Sequence, residues 1–236
     1  MSSQQNSGAA IDTRRLTKFY GATPALRGVD LQLETGQIVG LVGANGCGKT
    51  TLLKILAGVI SEYSGDATIL GLKPSVATKA RVAFLSDANL VPARMKVTDA
   101  LSLYEDFFAD FDRRLADELI TQLGLSPSQR GSEMSKGMRE KLRLALIMGR
   151  RADIYLLDEP MGGIDPAARE AILRTIIGND PDGSLVVVST HQVSDVEQVL
   201  DRAVIMKQGV ITHNITLDEL REQYGIGLDG FLRQVY

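Results

Sequence analysis

Short apolar runs alternate along the chain with longer segments in which apolar residues recur every three or four positions. Apolar runs bounded by glycine or polar residues predict β-strands, and the longer period predicts helices with one buried face. The predicted strands are residues 11–16, 25–33, 37–42, 66–70, 81–86, 153–158, 185–188, 204–207 and 210–212. The predicted helices are residues 52–57, 98–108, 113–123, 135–151, 166–178 and 217–224. This alternation indicates an α/β protein.

Three consecutive predicted helices interrupt the alternation of strand and helix. They predict a helical subdomain at about residues 88–151, inserted into the α/β core, with Asp112 as the N-cap of its second helix. Residues 1–10 are small and polar without an apolar centre, so we expect a disordered tail and not a signal peptide. The rest is expected to divide into one domain over residues 11–224 and a C-terminal tail over residues 225–236.

Composition narrows the class of protein. The 236 residues carry a formal net charge of −3, which is not the basic field of a nucleic-acid-binding surface. The single cysteine excludes an internal disulfide and is typical of a reducing cytoplasm. No apolar run approaches the roughly 18 residues that a membrane-spanning helix needs. We expect a soluble intracellular protein.

A glycine-rich loop lies between the predicted strand 37–42 and the helix that follows it. Glycines let backbone N–H groups turn inward, and the helix N-terminus adds further donors for an anion. Lys49 is expected to reach the β- and γ-phosphates, and the Thr50 hydroxyl to bind Mg²⁺. The loop therefore predicts a nucleoside triphosphate site formed by Gly43, Ala44, Asn45, Gly46, Cys47, Gly48, Lys49, Thr50 and Thr51.

Two later strands end in residues that suit the same chemistry. Asp158 and Glu159 end one apolar strand, and His191 follows another, so all three are expected at the carboxyl edge of the sheet, where α/β proteins bind ligands. Asp158 is a candidate Mg²⁺ ligand, and Glu159 is placed to orient or deprotonate a water. A lone histidine is more often structural, but this position favours contact with the γ-phosphate. Asp165 is expected to cap the helix that begins at Pro166.

Two residues near the loop allow more than one interpretation. Tyr20 is either a core aromatic beside a turn or a ring that stacks on a nucleotide base. Cys47 is either a small residue at a variable position or a thiol that faces the phosphates, in which case bound nucleotide would protect it from thiol reagents.

The segment of residues 133–141, which contains Ser135-Lys136-Gly137-Met138, resembles the signature motif of ABC-transporter ATPases. Other motifs occur in that family's order: Tyr20 as the aromatic A-loop, 43–50 as Walker A, Asp158-Glu159 as Walker B, Asp165 in the D-loop and His191 as the switch histidine. The resemblance implies a P-loop NTPase core of the ABC-ATPase type, with an N-terminal antiparallel β-subdomain and an inserted helical subdomain. It also implies ATP, Mg²⁺ and ATP hydrolysis.

The resemblance further implies a head-to-tail dimer, with an identical copy or a similar ATPase, in which Ser135 and Gly137 close over ATP on the other copy. An integral membrane permease would hold this dimer at the cytoplasmic face of the membrane. No nucleic acid is expected. Runner-up interpretations are a soluble ABC ATPase that acts on nucleic acid or the ribosome, and a regulatory module that binds ATP without turnover.

Two motifs depart from the family pattern. Lys136 and Met138 replace the usual glycine and glutamine of the signature, a variant that resembles bacterial exporters for drugs and peptide antibiotics and so favours export. At the Q-loop, alignment of residues 84–86 places Asp87 where the family has glutamine. We expect Asp87 to engage Mg²⁺ through water and to couple hydrolysis to the permease, with Asn89 as the alternative residue.

Overall fold

The computed structural model describes residues 9–86, 91–162, 166–178 and 183–235. Its strands are β1 Ile11–Tyr20, β2 Thr23–Leu33, β3 Gln37–Val42, β4 Ser64–Ile69, β5 Val82–Leu85, β6 Ile154–Asp158, β7 Leu185–Thr190, β8 Arg202–Lys207 and β9 Val210–Thr216. Its α-helices are α1 Lys49–Leu56, α2 Val76–Lys79, α3 Val97–Phe107, α4 Arg113–Gln122, α5 Lys136–Met148, α6 Pro166–Gly178, α7 Leu217–Tyr224 and α8 Leu228–Val235. Each strand predicted from the sequence is present, and α2 and α8 are additional.

A six-stranded sheet with the order β5-β6-β7-β3-β8-β9 forms the centre of the protein. The first five strands in this order pair in parallel, and β9 pairs with β8 in the antiparallel direction. Strands β6 and β7 are buried along their whole length, which explains their almost uninterrupted apolar sequences. Because β6, β7 and β3 are neighbours, their carboxyl ends bring Asp158, Thr190 and Val42 to one edge of the sheet.

A second sheet of three antiparallel strands has the order β2-β1-β4. Helix α1 lies between the two sheets, since its side chains Leu52 and Leu53 belong to an apolar cluster that includes residues of both. Strand β1 continues to Tyr20, four residues beyond the predicted end, because residues 17–20 still pair with β2. The sheet therefore carries Tyr20 to the end of a hairpin near the phosphate loop.

Helices α3, α4 and α5 follow one another within residues 91–162, as the sequence predicts. Asp112 caps α4 by accepting a hydrogen bond of 3.0 Å from the backbone N–H of Leu115. This hydrogen bond, aided by Arg151, holds the pKa of Asp112 below its usual value. Arg150 is buried and joins these helices to the sheet, because it pairs with Asp110 at 2.9 Å and donates to the carbonyl of Val82 at 2.8 Å.

The C-terminal segment differs from the expected tail. After α7 the chain turns at Gly225, in the left-handed region at φ +66°, and forms α8. Leu228 and Phe231 on α8 are buried, and the Phe231 ring lies 4.7 Å from that of Tyr224. Apolar residues at positions 228, 231, 232 and 235 give the period of an amphipathic helix, which packing against α7 stabilises. At the other end of the chain, Ala10 is already buried, and residues 1–8 lie outside the described part.

None of the helices in the described part of the chain is long and apolar enough to cross a membrane.

Candidate nucleotide site

The phosphate loop connects β3 to α1, as predicted, and its glycines are required by the backbone. Gly46 and Gly48 have φ of +79° and +112°, values that residues with a Cβ rarely adopt. A Cβ on Gly48 would also lie 2.6 Å from the carbonyl oxygen of Ala25. Lys49 opens α1 and folds back, with its Nζ donating to the carbonyl of Gly43 at 2.7 Å. The loop is therefore a compact cradle with a buried cation at its floor.

Glu159 lies between this lysine and the predicted histidine. Its Oε1 is 3.4 Å from Nζ of Lys49, and its Oε2 is 2.8 Å from Nδ1 of His191. Glu159 itself adopts φ of +48°, an uncommon left-handed conformation for a residue with a long side chain. The end of β6 therefore turns the Glu159 side chain toward the loop, where a carboxylate, a cation and an imidazole meet.

A cavity of about 360 Å³ adjoins the loop. It is lined by Tyr20, Thr23, Pro24, Ala25, Asn45, Gly46, Gly48, Lys49, Thr50, Thr51 and Glu159. Tyr20 is 52% exposed, so it is not a core aromatic, and its ring is available to stack on a flat ligand. Nζ of Lys18 lies 5.3 Å from the centre of this ring. The cavity volume is within the range of small-molecule sites.

The donor set fits Mg²⁺ together with a phosphate ligand. Thr50 follows Lys49 in the first turn of α1, and Asp158 is buried at the end of β6. No group of three or more His, Cys, Asp or Glu side chains suited to a metal occurs among the described residues. Mg²⁺ is typically held by one or two protein oxygens, substrate phosphates and waters, so a site completed by the nucleotide matches this chemistry.

Cys47 contributes to the loop through its backbone. Its carbonyl accepts a hydrogen bond of 2.9 Å from the N–H of Gly209, while its side chain is 6% exposed and belongs to the apolar cluster under the loop. Of the two interpretations of Cys47, the small-residue one agrees with this packing, in which the thiol points into the apolar cluster.

Ser135 and Gly137 lie at the start of α5 and do not line the cavity beside the phosphate loop. Ser135 is the N-cap and accepts a hydrogen bond of 3.2 Å from the N–H of Met138. A Cβ on Gly137 would meet nothing closer than the Ser135 hydroxyl at 4.0 Å, so packing within the described residues does not require glycine there. Among the described residues of a single chain, this helix N-terminus is therefore open to another ligand or molecule.

Three predicted site residues, Asp87, Asn89 and Asp165, lie outside the described residues.

Ser189 is a site residue that was not predicted from the sequence. It hydrogen-bonds both to the Asp158 carboxylate and to the backbone of Glu159. The available signal was a small hydroxyl residue that ends a buried apolar strand, two positions before His191.

The strand, loop and helix around Lys49, with acidic and imidazole side chains on the neighbouring strand ends, define a mixed α/β P-loop nucleotide-binding fold. A family model described as "ABC transporter" matches residues 26–162. The chain therefore belongs to the ABC transporter family, as an ATP-binding subunit of the ABC ATPase type that uses ATP and Mg²⁺.

Relatives and solved structures agree with this assignment. The ABC transporter ATP-binding protein YtrB of Bacillus subtilis is 29% identical over 218 residues, which are 91% of this chain and 74% of that protein. The aliphatic sulfonates import ATP-binding protein SsuB of Corynebacterium glutamicum is 30% identical over 218 residues, 89% of this chain and 85% of that protein. A structure described as the ATP-binding subunit of an ABC transporter superimposes with a TM-score of 0.84 at 26% identity, covering 95% of this chain and 98% of the other.

A dimeric, post-hydrolysis structure of the ATP-binding cassette MJ0796 bound to ADP and Pi has a TM-score of 0.78 at 20% identity. It covers 88% of this chain and 98% of the other, and it shares the fold.

Proposed function

We propose that this chain hydrolyses ATP to power a separate membrane permease, in an exporter for drugs, peptide antibiotics or similar compounds. The observation that carries the catalytic part is the position of Glu159, whose carboxylate contacts both Lys49 of the phosphate loop and His191. A phosphate loop beside a carboxylate that contacts an imidazole is an arrangement suited to attack of water on a γ-phosphate.

Each side chain has a distinct role in this proposal. Lys49 and the loop backbone bind the β- and γ-phosphates, and Tyr20 stacks on the base. Thr50 and Asp158 hold Mg²⁺, which supplies charge neutralisation when bound. Glu159 orients and deprotonates the attacking water, and His191 holds the Glu159 carboxylate and lies toward the γ-phosphate.

The charge balance of the site supports this assignment. Lys49 is 5% exposed, and Glu159 provides a negative partner at 3.4 Å. Phosphate oxygens can replace the carboxylate as the partner of Lys49, which frees one oxygen of Glu159 for water while His191 still holds the other. ATP binding would thus prepare the base for the reaction.

The signature residues lie apart from the phosphate loop of their own chain. This separation supports a head-to-tail arrangement with a second copy of the chain, or with a similar ATPase. Ser135 and Gly137 form an accessible helix N-terminus that lines no part of the phosphate-loop cavity in its own chain. Placed over ATP on the other copy, they would complete the anion site. Asp165 is proposed to lie at the same contact, and Asp87 or Asn89 to link the site to the permease. The permease would hold the dimer at the cytoplasmic face of the membrane.

The direction of transport is proposed from Ser135-Lys136-Gly137-Met138, the signature variant that resembles drug exporters. Import is the second candidate, because one relative that is 30% identical is named for the import of aliphatic sulfonates. Susceptibility to drugs and sulfonate uptake, measured in cells with and without the gene, separate the two. Higher drug susceptibility in the deletion strain supports export, whereas lost uptake of radiolabelled ethanesulfonate supports import.

Phosphate release from MgATP by the purified chain tests the catalytic part. We expect the wild-type chain to release phosphate and the Lys49→Ala variant not to release it. Nucleotide binding without release by the wild-type chain would instead favour a regulatory module.

A further inference from the structure

The hydroxyl group of Ser189 joins the two acidic residues of the candidate site. Ser189 is the penultimate residue of β7, is completely buried, and lies opposite Asp158 in the ladder between β6 and β7. Its Oγ lies 2.6 Å from Oδ1 of Asp158 and 2.9 Å from the backbone nitrogen of Glu159. One hydroxyl therefore contacts both the proposed Mg²⁺ ligand and the backbone of the proposed base.

The direction of both hydrogen bonds follows from the groups themselves. A backbone N–H can only donate, so Oγ of Ser189 accepts from Glu159. The single hydroxyl hydrogen is then available for Asp158, whose ionised carboxylate can only accept. The result is a short polar chain from the Glu159 N–H through the Ser189 hydroxyl to the Asp158 carboxylate, in which each bond polarises the next.

The hydrogen bonds of Ser189 lie beside an uncommon backbone conformation at Glu159. Asp158 and Ser189 form the last pair of the β6–β7 ladder, and the next residue on β6, Glu159, turns to φ of +48°. This conformation is rare for a residue with a Cβ and persists only where the surroundings enforce it. The Ser189 hydroxyl accepts a hydrogen bond from the Glu159 N–H at the point where the chain leaves the sheet. The backbone turn at Glu159 directs its side chain toward Lys49 and His191.

We propose that Ser189 is a positioning residue for ATP hydrolysis, which acts by fixing the orientation of the Asp158 carboxylate and the backbone turn at Glu159. This inference rests on the proposed catalytic role of Glu159. If the Ser189 hydroxyl served only to stabilise the fold, any single hydrogen-bond partner would be enough in this buried position. Ser189 instead bonds to the two consecutive residues that carry the carboxylates of the site.

The matched variants for the test are Ser189→Thr and Ser189→Val. Threonine and valine are both branched at Cβ and have nearly the same shape, so the two variants should have a similar steric cost. Only threonine retains the hydroxyl. Ser189→Ala removes the hydroxyl without adding volume. Thr13→Val is the control for loss of a buried hydroxyl elsewhere, because Oγ1 of Thr13 donates to the carbonyl of Val29 at 3.1 Å in the three-stranded sheet.

The measurements are kcat and KM for MgATP, the affinity for a fluorescent ATP analogue with Mg²⁺ and with EDTA, and thermal unfolding without nucleotide. We expect Ser189→Val and Ser189→Ala to lower kcat by about 10- to 100-fold, the range for residues that orient ligands of a metal site. In both variants the affinity for the ATP analogue in EDTA stays near the wild-type value, while the gain in affinity on adding Mg²⁺ becomes smaller. Ser189→Thr recovers most of the kcat and most of the gain with Mg²⁺. Thr13→Val keeps the wild-type kcat.

Equal kcat values for the threonine and valine variants would overturn the inference, and so would a fall in kcat for Thr13→Val as large as that for Ser189→Ala. If the branched variants do not fold, the comparison of Ser189→Ala with Thr13→Val decides alone. Failure of this inference differs from failure of the proposed function, since the wild-type chain would still release phosphate from MgATP.

Discussion

The Nδ1 atom of His191 lies 2.8 Å from Oε2 of Glu159. The two residues follow neighbouring parallel strands, β7 and β6, so the sheet itself sets their separation. Because the other carboxylate oxygen faces Lys49, Glu159 is held from two sides. His191 is therefore expected to act largely by keeping this carboxylate in place.

Replacing His191 by alanine should lower ATP turnover by about 100-fold, near the lower end of the contribution of a positioned acid–base group. ATP affinity should change little, because the phosphate loop and Lys49 are unaltered. Steady-state phosphate release and a nucleotide titration measure the two quantities. The matched control is His213→Ala, which removes the other histidine, on β9, where its ring lies 5.1 Å from that of Phe231. Equal turnover losses in both variants would remove His191 from the site.

The thiol of Cys47 should react slowly with a polar disulfide reagent in the folded chain, since its side chain is 6% exposed and packs in an apolar cluster. Denaturant should make the reaction fast, and MgATP should change the slow native rate little. Spectrophotometric thiol titration gives all three rates. Rapid labelling of the native chain that nucleotide prevents would instead place the thiol against the phosphates.

Asp112 should contribute to stability at neutral pH and lose that contribution in acid. Its pKa is lowered in the folded chain, first by the hydrogen bond from the Leu115 N–H and then by Arg151. The stabilisation is therefore complete above the unfolded pKa of about 3.9 and disappears as the pH falls through the lower folded value. Asp112→Ala should lower the free energy of unfolding at pH 7 by about 1 kcal/mol.

Asp112→Asn is the informative companion variant, because asparagine caps helices as well as aspartate does but does not titrate. Urea unfolding at pH 7 and pH 3 should show a smaller acid loss for Asp112→Asn than for the wild type. An unchanged acid loss would show that this carboxylate does not contribute to the pH dependence.

Glu197 should anchor α8 to the segment that follows His191. Its carboxylate accepts hydrogen bonds from the backbone N–H groups of Leu228, at 2.6 Å, and Asp229, at 3.4 Å. A carboxylate at a helix N-terminus also interacts favourably with the helix dipole. Glu197→Ala should therefore lower the free energy of unfolding by about 1 kcal/mol, measured in urea. Glu222→Ala, an exposed glutamate on α7, should stay within about 0.5 kcal/mol of wild type. Equal values for the two variants would contradict this anchoring role.

The sequence predicted the parts of the fold that local patterns determine. Strand β3 and helix α7 have the bounds that the patterns indicate, and Asp112 caps α4 as predicted. Tyr20 could not be assigned, since the pairing that extends β1 to residue 20 depends on β2. Helix α8 was missed because the helix is short and gains its stability from tertiary packing, such as the contacts of Phe231 with Tyr224 and with His213.

The site shows the same division between local and long-range information. The glycines of the loop and the carboxyl ends of the strands were readable, because each follows from residue type and position. The bonds of Ser189 depend on the register between β6 and β7, and the burial of Cys47 depends on the contacts of the loop with the strands around it. Neither relationship is encoded in the residues adjacent to these positions.

The proposed function depends most on Glu159, which is proposed to activate water for ATP hydrolysis. The most direct test is steady-state phosphate release at saturating MgATP by the wild-type chain and by Glu159→Gln, which keeps the size of the side chain but removes its basicity. We expect Glu159→Gln to bind MgATP like the wild type, to hydrolyse it at least about 100-fold more slowly, and to elute with doubled mass on gel filtration with ATP. Turnover by Glu159→Gln at the wild-type rate would show that Glu159 does not activate the water.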